Sequence, residues 1–383
     1  TGSPSLTWDE FLLDAASARP EVAFAANDHP VLALDDRLPE GCRGLALNKK
    51  AMDNPLNAAR PSVLRLIRDL TFPIDGGVPA DLRGFTDLTR RMRLHVADAS
   101  PDSVVSTLFF AARQAGVVVP EEMWDIWLGP ITRWEETGNA ARPESSWPAL
   151  ASALAHRHYG VPNASDHQPT EEVVQAWRRV VPFAVEAMRA GYDPDDVPPN
   201  APGDHLADAR AALAEERARY LRKVFAAERH QLSLPVSDAP RRRLVDALFT
   251  REAELAGAMK VFARNDADSA PLGQGFTFML VERPEMKYAV PDAWMTASVD
   301  PRAGVQLYDL WAELERRETE AWELAGRQRP LFNPETSRGI SSIEPLNRRF
   351  HEPWYIDPSH TLVASPVNGR VKVSQMAAQN VAT

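Results

Sequence analysis

The stretch Leu94–Gly116, LHVADASPDSVVSTLFFAARQAG, places a strand, an acidic turn and an apolar helix in direct succession. Leu94–Ala97 is typical of a buried strand, Asp98–Asp102 of a turn rich in side-chain oxygen atoms, and Ser103–Ala115 of a helix that ends at Gly116. Open α/β sheets bind their ligands outside the carboxyl ends of their strands. The sequence therefore predicts that this turn is the candidate functional site.

The turn allows two interpretations. In the first, Asp102 is the N-cap of the helix, and its carboxylate only accepts hydrogen bonds from the free amides of the first turn. In the second, Asp98, Ser100 and Asp102 face a metal ion or a phosphate above the helix N-terminus, where free amides and the helix dipole favour an anion. The sequence leaves both interpretations open.

The order of predicted elements suggests three units. Strands Val31–Leu34 and Gly44–Leu47 and a helix over Ser62–Leu70 precede the candidate turn, and their alternation predicts an α/β domain with a mainly parallel sheet over residues 1–165. Helical patterns dominate residues 166–267, and residues 268–383 mix strands and a helix. We expect an α/β N-terminal domain, a helical middle and a smaller α+β C-terminal domain.

One predicted helix of the middle region runs from Ser237 to Arg264. Apolar residues such as Leu244, Leu248 and Met259 recur at helical spacing along it. Its start carries Arg241–Arg243, a basic run that the dipole disfavours at a helix N-terminus. The run is either solvated or binds an anionic partner.

Other potential metal ligands lie outside the turn. Asp35 and Asp36 follow a predicted strand, where two carboxylates suit a metal ion but also suit the start of a solvated turn. His156 and His158 stand one residue apart at the end of a predicted helix. Such a pair can bind a metal, but the helix dipole also favours histidine at this end.

The composition limits the classes of function. The chain has 383 residues, a formal net charge of -10, 44% hydrophobic and 25% charged residues, and one cysteine, Cys42. The acidic balance argues against general nucleic-acid binding, which needs clustered Lys and Arg, and no apolar run approaches the roughly 18 residues of a membrane span. A single cysteine rules out an intramolecular disulfide. With no basic and then apolar leader at its start, we expect a cytoplasmic protein with no membrane contact.

The candidate turn resembles a known motif. Asp98-Ala-Ser-Pro-Asp102-Ser103-Val-Val-Ser106 is similar to the H-x-D-x-D-G-x-x-S pattern that follows a strand in the DHH phosphoesterase superfamily and in related uncharacterised bacterial proteins. Asp102 and Ser106 match its second aspartate and its serine. Asp98 replaces its histidine, Ser100 its first aspartate and Ser103 its glycine, and the chain has no Asp-His-His triplet.

The resemblance implies a metal-dependent hydrolase that acts on a phosphate ester and uses Mn²⁺ or Mg²⁺ to activate water. Its residues are assigned as follows: Asp98 and Asp102 as catalytic groups, Asp98, Asp102, Asp35 and Asp36 as metal ligands, and Ser100, Ser103 and Ser106 as substrate contacts. The partner is then a small molecule that contains phosphate.

Two of the usual metal ligands are altered, which supports a second hypothesis. The chain is then a non-catalytic protein on the same fold, a pseudoenzyme that serves protein interaction or assembly through its helical middle. Its partner is another protein, and a homo-oligomer is compatible with either hypothesis.

Overall fold

The computed structural model describes residues 6–17, 31–34, 44–47, 62–71, 93–96, 98–156, 171–237, 239–251, 257–283, 294–331, 351–357, 359–368 and 371–372. The helices of this part are α1 (Trp8–Ser17), α2 (Val63–Thr71), α3 (Pro101–Gln114), α4 (Glu121–Thr137), α5 (Trp147–His156), α6 (Glu171–Ala190), α7 (Asp204–Ala226), α8 (Gly257–Asn265) and α9 (Tyr308–Leu324). The strands are β1 (Val31–Leu34), β2 (Gly44–Leu47), β3 (Arg93–Val96), β4 (Glu228–Pro235), β5 (Arg242–Arg251), β6 (Phe278–Arg283), β7 (Trp294–Val299), β8 (Tyr355–Ile356), β9 (Leu362–Ala364), β10 (Val367–Asn368) and β11 (Val371–Lys372).

The main sheet is antiparallel, so the predicted fold class with a mainly parallel sheet is wrong. Its six strands lie in the order β4-β5-β6-β7-β9-β8, and β5 with β6 is the one parallel pair within it. Strands β2, β1 and β3, of four residues each, form a separate small sheet in which the neighbours are parallel. The short connections between β4 and β5 and between β8 and β9 can join only antiparallel neighbours.

The predicted helix from Ser237 to Arg264 is also wrong over its first half. Arg242–Arg251 is strand β5, and only Gly257–Asn265 is helical. Val245, Asp246, Ala247 and Leu248 are all buried because β5 has neighbours on both faces. A segment buried on both faces loses the apolar-polar alternation of a half-exposed strand, and the spacing of its apolar residues then satisfies a helix as well.

Two apolar cores hold these elements. The larger core joins residues of α1 to α8 and includes the edge-to-face pair Trp127 and Trp147, whose ring centroids are 4.8 Å apart. The smaller core lies between the six-stranded sheet and α9, where Trp311 and Leu314 pack against the sheet.

The domain boundaries at 165/166 and 267/268 stay predictions. No helix in the described part of the chain is long and apolar enough to cross a membrane.

Candidate functional site

The N-cap of helix α3 is Ser100, so the prediction that Asp102 is this cap is wrong. Ser100 has the extended backbone of an N-cap, with φ −63° and ψ 157°, and its Oγ accepts a hydrogen bond from the Ser103 amide at 3.2 Å. Pro101 then takes the first helical position, where its missing N–H is not needed and its fixed φ suits the helix. Asp102 consequently lies within the first turn.

Asp98 supports this cap from outside the helix. Its Oδ1 accepts hydrogen bonds from the Ser100 amide at 3.1 Å and from the Ser103 hydroxyl at 2.7 Å. The Ser100 hydroxyl donates in turn to Ser103 Oγ at 2.9 Å. Two of the predicted substrate contacts, Ser100 and Ser103, therefore use their hydroxyls within the turn. An anion at this helix end would also lie near the negative Asp98 carboxylate.

Asp102 points away from this turn and contacts the neighbouring helix α2. Its side chain is 4% exposed, Oδ2 accepts a hydrogen bond from the Val63 amide at 2.8 Å, and Oδ1 accepts one from the Leu64 amide at 3.1 Å. The Ser106 hydroxyl donates to Oδ1 at 2.9 Å, and that of Ser62 lies 3.4 Å from it. Asp102 thus supplies a second cap of α2 from another helix, beside Ser62, whose Oγ accepts the Arg65 amide at 3.2 Å.

The predicted site residues fall into two separate hydrogen-bonded sets. One set joins Asp98 with Ser100 and Ser103 at the start of α3, and the other joins Asp102 with Ser106 at the start of α2. Asp35 and Asp36 lie outside the described residues.

The two sets do not fit the metal centre that the resemblance implies. Both oxygens of Asp102 already face N–H or O–H donors, whose positive hydrogens occupy the directions that a cation would need. Asp98 Oδ1 accepts hydrogen bonds from two donors, so a cation could approach this carboxylate only at Oδ2. Among the residues that the structure describes, no three His, Cys, Asp or Glu side chains lie close enough to hold one ion.

His156, a residue beyond the predicted set, lies near the charges of Asp98 and Arg219. Burial lowers the pKa of His156, the last residue of α5, while the Asp98 charge raises that pKa and the Arg219 charge lowers it. His156 Nδ1 lies 2.6 Å from the Ser152 carbonyl oxygen, so this nitrogen carries the hydrogen of a neutral ring. Arg219 of α7 also pairs with the buried Glu216 at 3.3 Å.

The sequence singles out His156 as a candidate residue, but it does not indicate which charged residues lie near it. A histidine at a helix C-terminus is visible in the sequence, whereas its proximity to Asp98 and Arg219 depends on how three helices pack. The group therefore combines an exposed carboxylate, a neutral imidazole and a guanidinium. His158 lies outside the described residues.

Comparisons of the chain with protein-family models, with curated proteins and with solved structures give no match. The resemblance of the turn to the DHH phosphoesterase superfamily, with the activity and the Mn²⁺ or Mg²⁺ ions that it implies, therefore stays a prediction.

Proposed function

We propose that this chain is a non-catalytic interaction or assembly protein and that its strand, turn and helix form a scaffold. The observation that carries the proposal is the position of Asp102, whose two carboxylate oxygens accept the amides of Val63 and Leu64 in another helix. This residue is the aspartate of the motif that the chain retains. It serves here to join two helices.

The energetics of the Asp102 cap support this proposal. Rotation of Asp102 toward a metal ion would leave two buried amides of α2 without acceptors, at a cost of roughly 1 to 3 kcal/mol for each amide. Ser106, the other retained motif residue, donates to the same carboxylate and holds it in place. The retained residues thus have a structural reason to be present without any catalysis.

The proposal includes a partner class and a location. The partner is a protein, which suits the acidic balance of the chain, and the location is the cytoplasm, which suits its single cysteine. The contact region is the helical middle.

A second candidate is a divergent phosphoesterase, and one observation favours it. The Asp98 charge raises the pKa of His156, and general base catalysis by histidine often uses a carboxylate charge that acts on the imidazole. In this candidate His156 Nε2 accepts a proton from the water whose oxygen bonds to phosphorus, the P–O bond to the leaving group breaks, and the imidazolium, stabilised by the Asp98 carboxylate, returns its proton to the leaving oxygen or to solvent.

One assay tests the two candidates against each other. The full chain is incubated with bis(p-nitrophenyl) phosphate and Mn²⁺ or Mg²⁺, and the release of nitrophenol is compared for the wild type, Asp98→Asn and His156→Asn. We expect no release above the protein-free blank for any of the three. Hydrolysis by the wild type that is lost in both folded variants would overturn the proposal and establish the phosphoesterase.

A further inference from the structure

Helix α7 carries a second apolar stripe, which is exposed in the part of the chain that the structure describes. Leu221 is 44% exposed and Phe225 is 79% exposed, although both are large apolar side chains. They continue a row of exposed alanines whose spacing alternates between three and four residues, and the whole row is Ala211, Ala214, Ala218, Leu221 and Phe225. This spacing is the a and d pattern of a coiled-coil surface.

The stripe is distinct from the face by which α7 joins the core. Leu206, Leu213, Tyr220 and Val224 form the buried face of the helix, which packs with the larger core. One apolar face is enough to hold a helix on a globular protein. The exposed stripe lies more than a quarter turn away from that face, and a partner outside the chain would give it apolar contacts.

We propose that two copies of this chain associate through α7, with their helices antiparallel and the exposed stripes in contact. The inference rests on the proposed function, because it names the partner of an assembly protein as a second copy.

Side-chain size favours the antiparallel arrangement. In an antiparallel pair, a positions pack against d positions, so Ala218 lies against the partner's Leu221 and Ala214 against the partner's Phe225. Each large side chain then meets a small one. In a parallel pair, each residue would meet its own copy, so alanine would face alanine and Phe225 would face the partner's Phe225. The alternation of small and large residues therefore fits antiparallel packing.

The charges that flank the stripe favour the same arrangement. Glu215 and Arg222, both exposed, occupy the e positions beside the stripe, and e positions face one another in an antiparallel pair. Glu215 then lies opposite the partner's Arg222, and symmetry forms this pair twice. A parallel pair would instead place Arg217, which pairs with Glu144 at 2.8 Å, beside the partner's Arg222, and Arg210, which donates to the Pro198 carbonyl oxygen, beside the partner's Glu215. The antiparallel orientation therefore forms two opposite-charge pairs at the e positions, whereas the parallel orientation forms opposite-charge and like-charge contacts together.

The length of the stripe limits the strength of the association. Ala211 to Phe225 covers about 21 Å of helix at a rise of 1.5 Å per residue. One such helix face is smaller than the roughly 800 Å² per partner of a standard protein interface. We therefore expect a weak dimer whose population depends on protein concentration.

Sedimentation velocity of the full chain, from about 1 μM to several hundred μM, tests the inference. We expect the wild type to shift from monomer to dimer with concentration, and Phe225→Glu to remain a monomer at every concentration. Leu324→Glu is the matched control, because Leu324 is 89% exposed on a different helix, α9, and its replacement should leave the dimer unchanged. Circular dichroism verifies that every variant is folded.

Charge reversal tests the orientation. Glu215→Arg alone and Arg222→Glu alone each place like charges opposite one another in the antiparallel pair, so each should be a monomer. An equimolar mixture of these two variants restores both attractive pairs and should dimerise. A dimer of Arg222→Glu alone that is stronger than the wild type would indicate a parallel pair and would overturn the proposed arrangement.

The outcomes separate this inference from the proposed function. A wild type that stays monomeric over the whole concentration range would overturn the pairing through α7, whatever the hydrolysis assay shows. Phosphodiester hydrolysis that depends on Asp98 and His156 would overturn the proposed function, and sedimentation would still report whether the two helices pair.

Discussion

Asp102 of helix α3 caps a helix other than its own, because its Oδ2 accepts the Val63 amide at the start of α2 at 2.8 Å. A cap supplied by a neighbouring element joins two helices through charge-assisted hydrogen bonds in a buried place. Ser106, one turn further along α3, donates to the same carboxylate at 2.9 Å and fixes its orientation. The start of α2 therefore depends on the position of α3.

Loss of the Asp102 carboxylate should destabilise the protein. Asp102→Ala leaves two buried amides of α2 without acceptors, and we expect the free energy of unfolding to fall by about 2 to 4 kcal/mol in urea titrations. Asp102→Asn should cost less, because a carboxamide keeps one accepting oxygen. Asp98→Ala, measured at pH 8, is the control, since Asp98 is exposed and its hydrogen bonds stay within its own turn, and a loss of about 1 kcal/mol is expected for it. Equal losses for Asp98→Ala and Asp102→Ala would contradict the cap.

The stability of the protein should decrease on mild acidification because of His156. Burial is the largest cause that lowers the pKa of this histidine below its ordinary value of 6.5. The unfolded chain then binds a proton more readily than the folded chain, so stability is complete above about pH 6.5 and falls as the pH drops below it. Unfolding measured from pH 8 to pH 5 should show this loss. His156→Gln, which cannot titrate, should lack this part of the pH dependence.

Asp98 should act on the same titration. The negative carboxylate raises the pKa of His156, so Asp98→Asn should lower that pKa further. The chemical shift of the His156 ring proton, followed by NMR against pH, measures the change directly. An unchanged His156 titration in Asp98→Asn would show that the two side chains do not interact, and it would remove the observation that favours the phosphoesterase.

The sequence predicted the local structure of the turn better than the hydrogen-bond partners of its side chains. Its acidic turn, and an apolar helix over most of Pro101–Gln114, could be read from periodicity and from the proline. The sequence did not reveal that Asp102 accepts the Val63 and Leu64 amides. A carboxylate in the first turn of a helix can accept hydrogen bonds from its own helix, from a neighbouring helix or from a ligand. Only the packing of α2 on α3 determines which of these three partners Asp102 has.

The large sheet was harder to predict for a related reason. The middle of β5, Val245–Leu248, is buried on both faces, and a buried polar residue, Asp246, interrupts its apolar residues without marking an exposed side. Sequence periodicity reports which side of an element faces water. Where neither side does, as in Val245–Leu248, the spacing of apolar residues no longer distinguishes a strand from a helix.

Tyr220→Phe should destabilise the protein more at neutral pH than at low pH. Burial tends to raise the pKa of Asp266, but hydrogen bonds from the Tyr220 hydroxyl, at 2.6 Å, and from Ser269 outweigh it and lower that pKa. A carboxyl whose folded pKa is depressed stabilises the protein above its unfolded pKa and loses this contribution as the pH falls through the folded value. Removal of the hydroxyl should therefore cost about 1 kcal/mol at pH 7 and less near pH 3.

Tyr192→Phe is the control for this pair. The Tyr192 hydroxyl donates to the Pro202 carbonyl oxygen, which does not titrate. Its removal should lower the free energy of unfolding by a similar amount at both pH values. Equal pH profiles for Tyr220→Phe and Tyr192→Phe would show that the Asp266 carboxylate does not depend on Tyr220.

Arg264→Lys should be strongly destabilising. The buried guanidinium of Arg264 donates to the carbonyl oxygens of Thr137 and Gly138 at the end of α4, and to that of Val299 at 3.2 Å at the end of β7. It therefore joins the helices to the large sheet. A lysine offers one compact ammonium and cannot reach three carbonyl groups in two directions. We expect the free energy of unfolding in urea to fall by roughly 2 to 4 kcal/mol, because buried carbonyl groups lose their donors.

Arg302→Lys is the matched control for Arg264→Lys. Arg302 is about half exposed, and its guanidinium pairs with Asp300 at 2.6 Å, close to the same region of the structure. Asp300 is buried and accepts Arg302 through both carboxylate oxygens, but a lysine at the half-exposed position keeps a positive charge beside it, so this variant should lose about 1 kcal/mol and less than Arg264→Lys. If the two substitutions lowered the free energy of unfolding equally, Arg264 would not hold the end of α4 to the sheet. A large loss for Arg264→Lys alone would show that this one side chain connects the two cores.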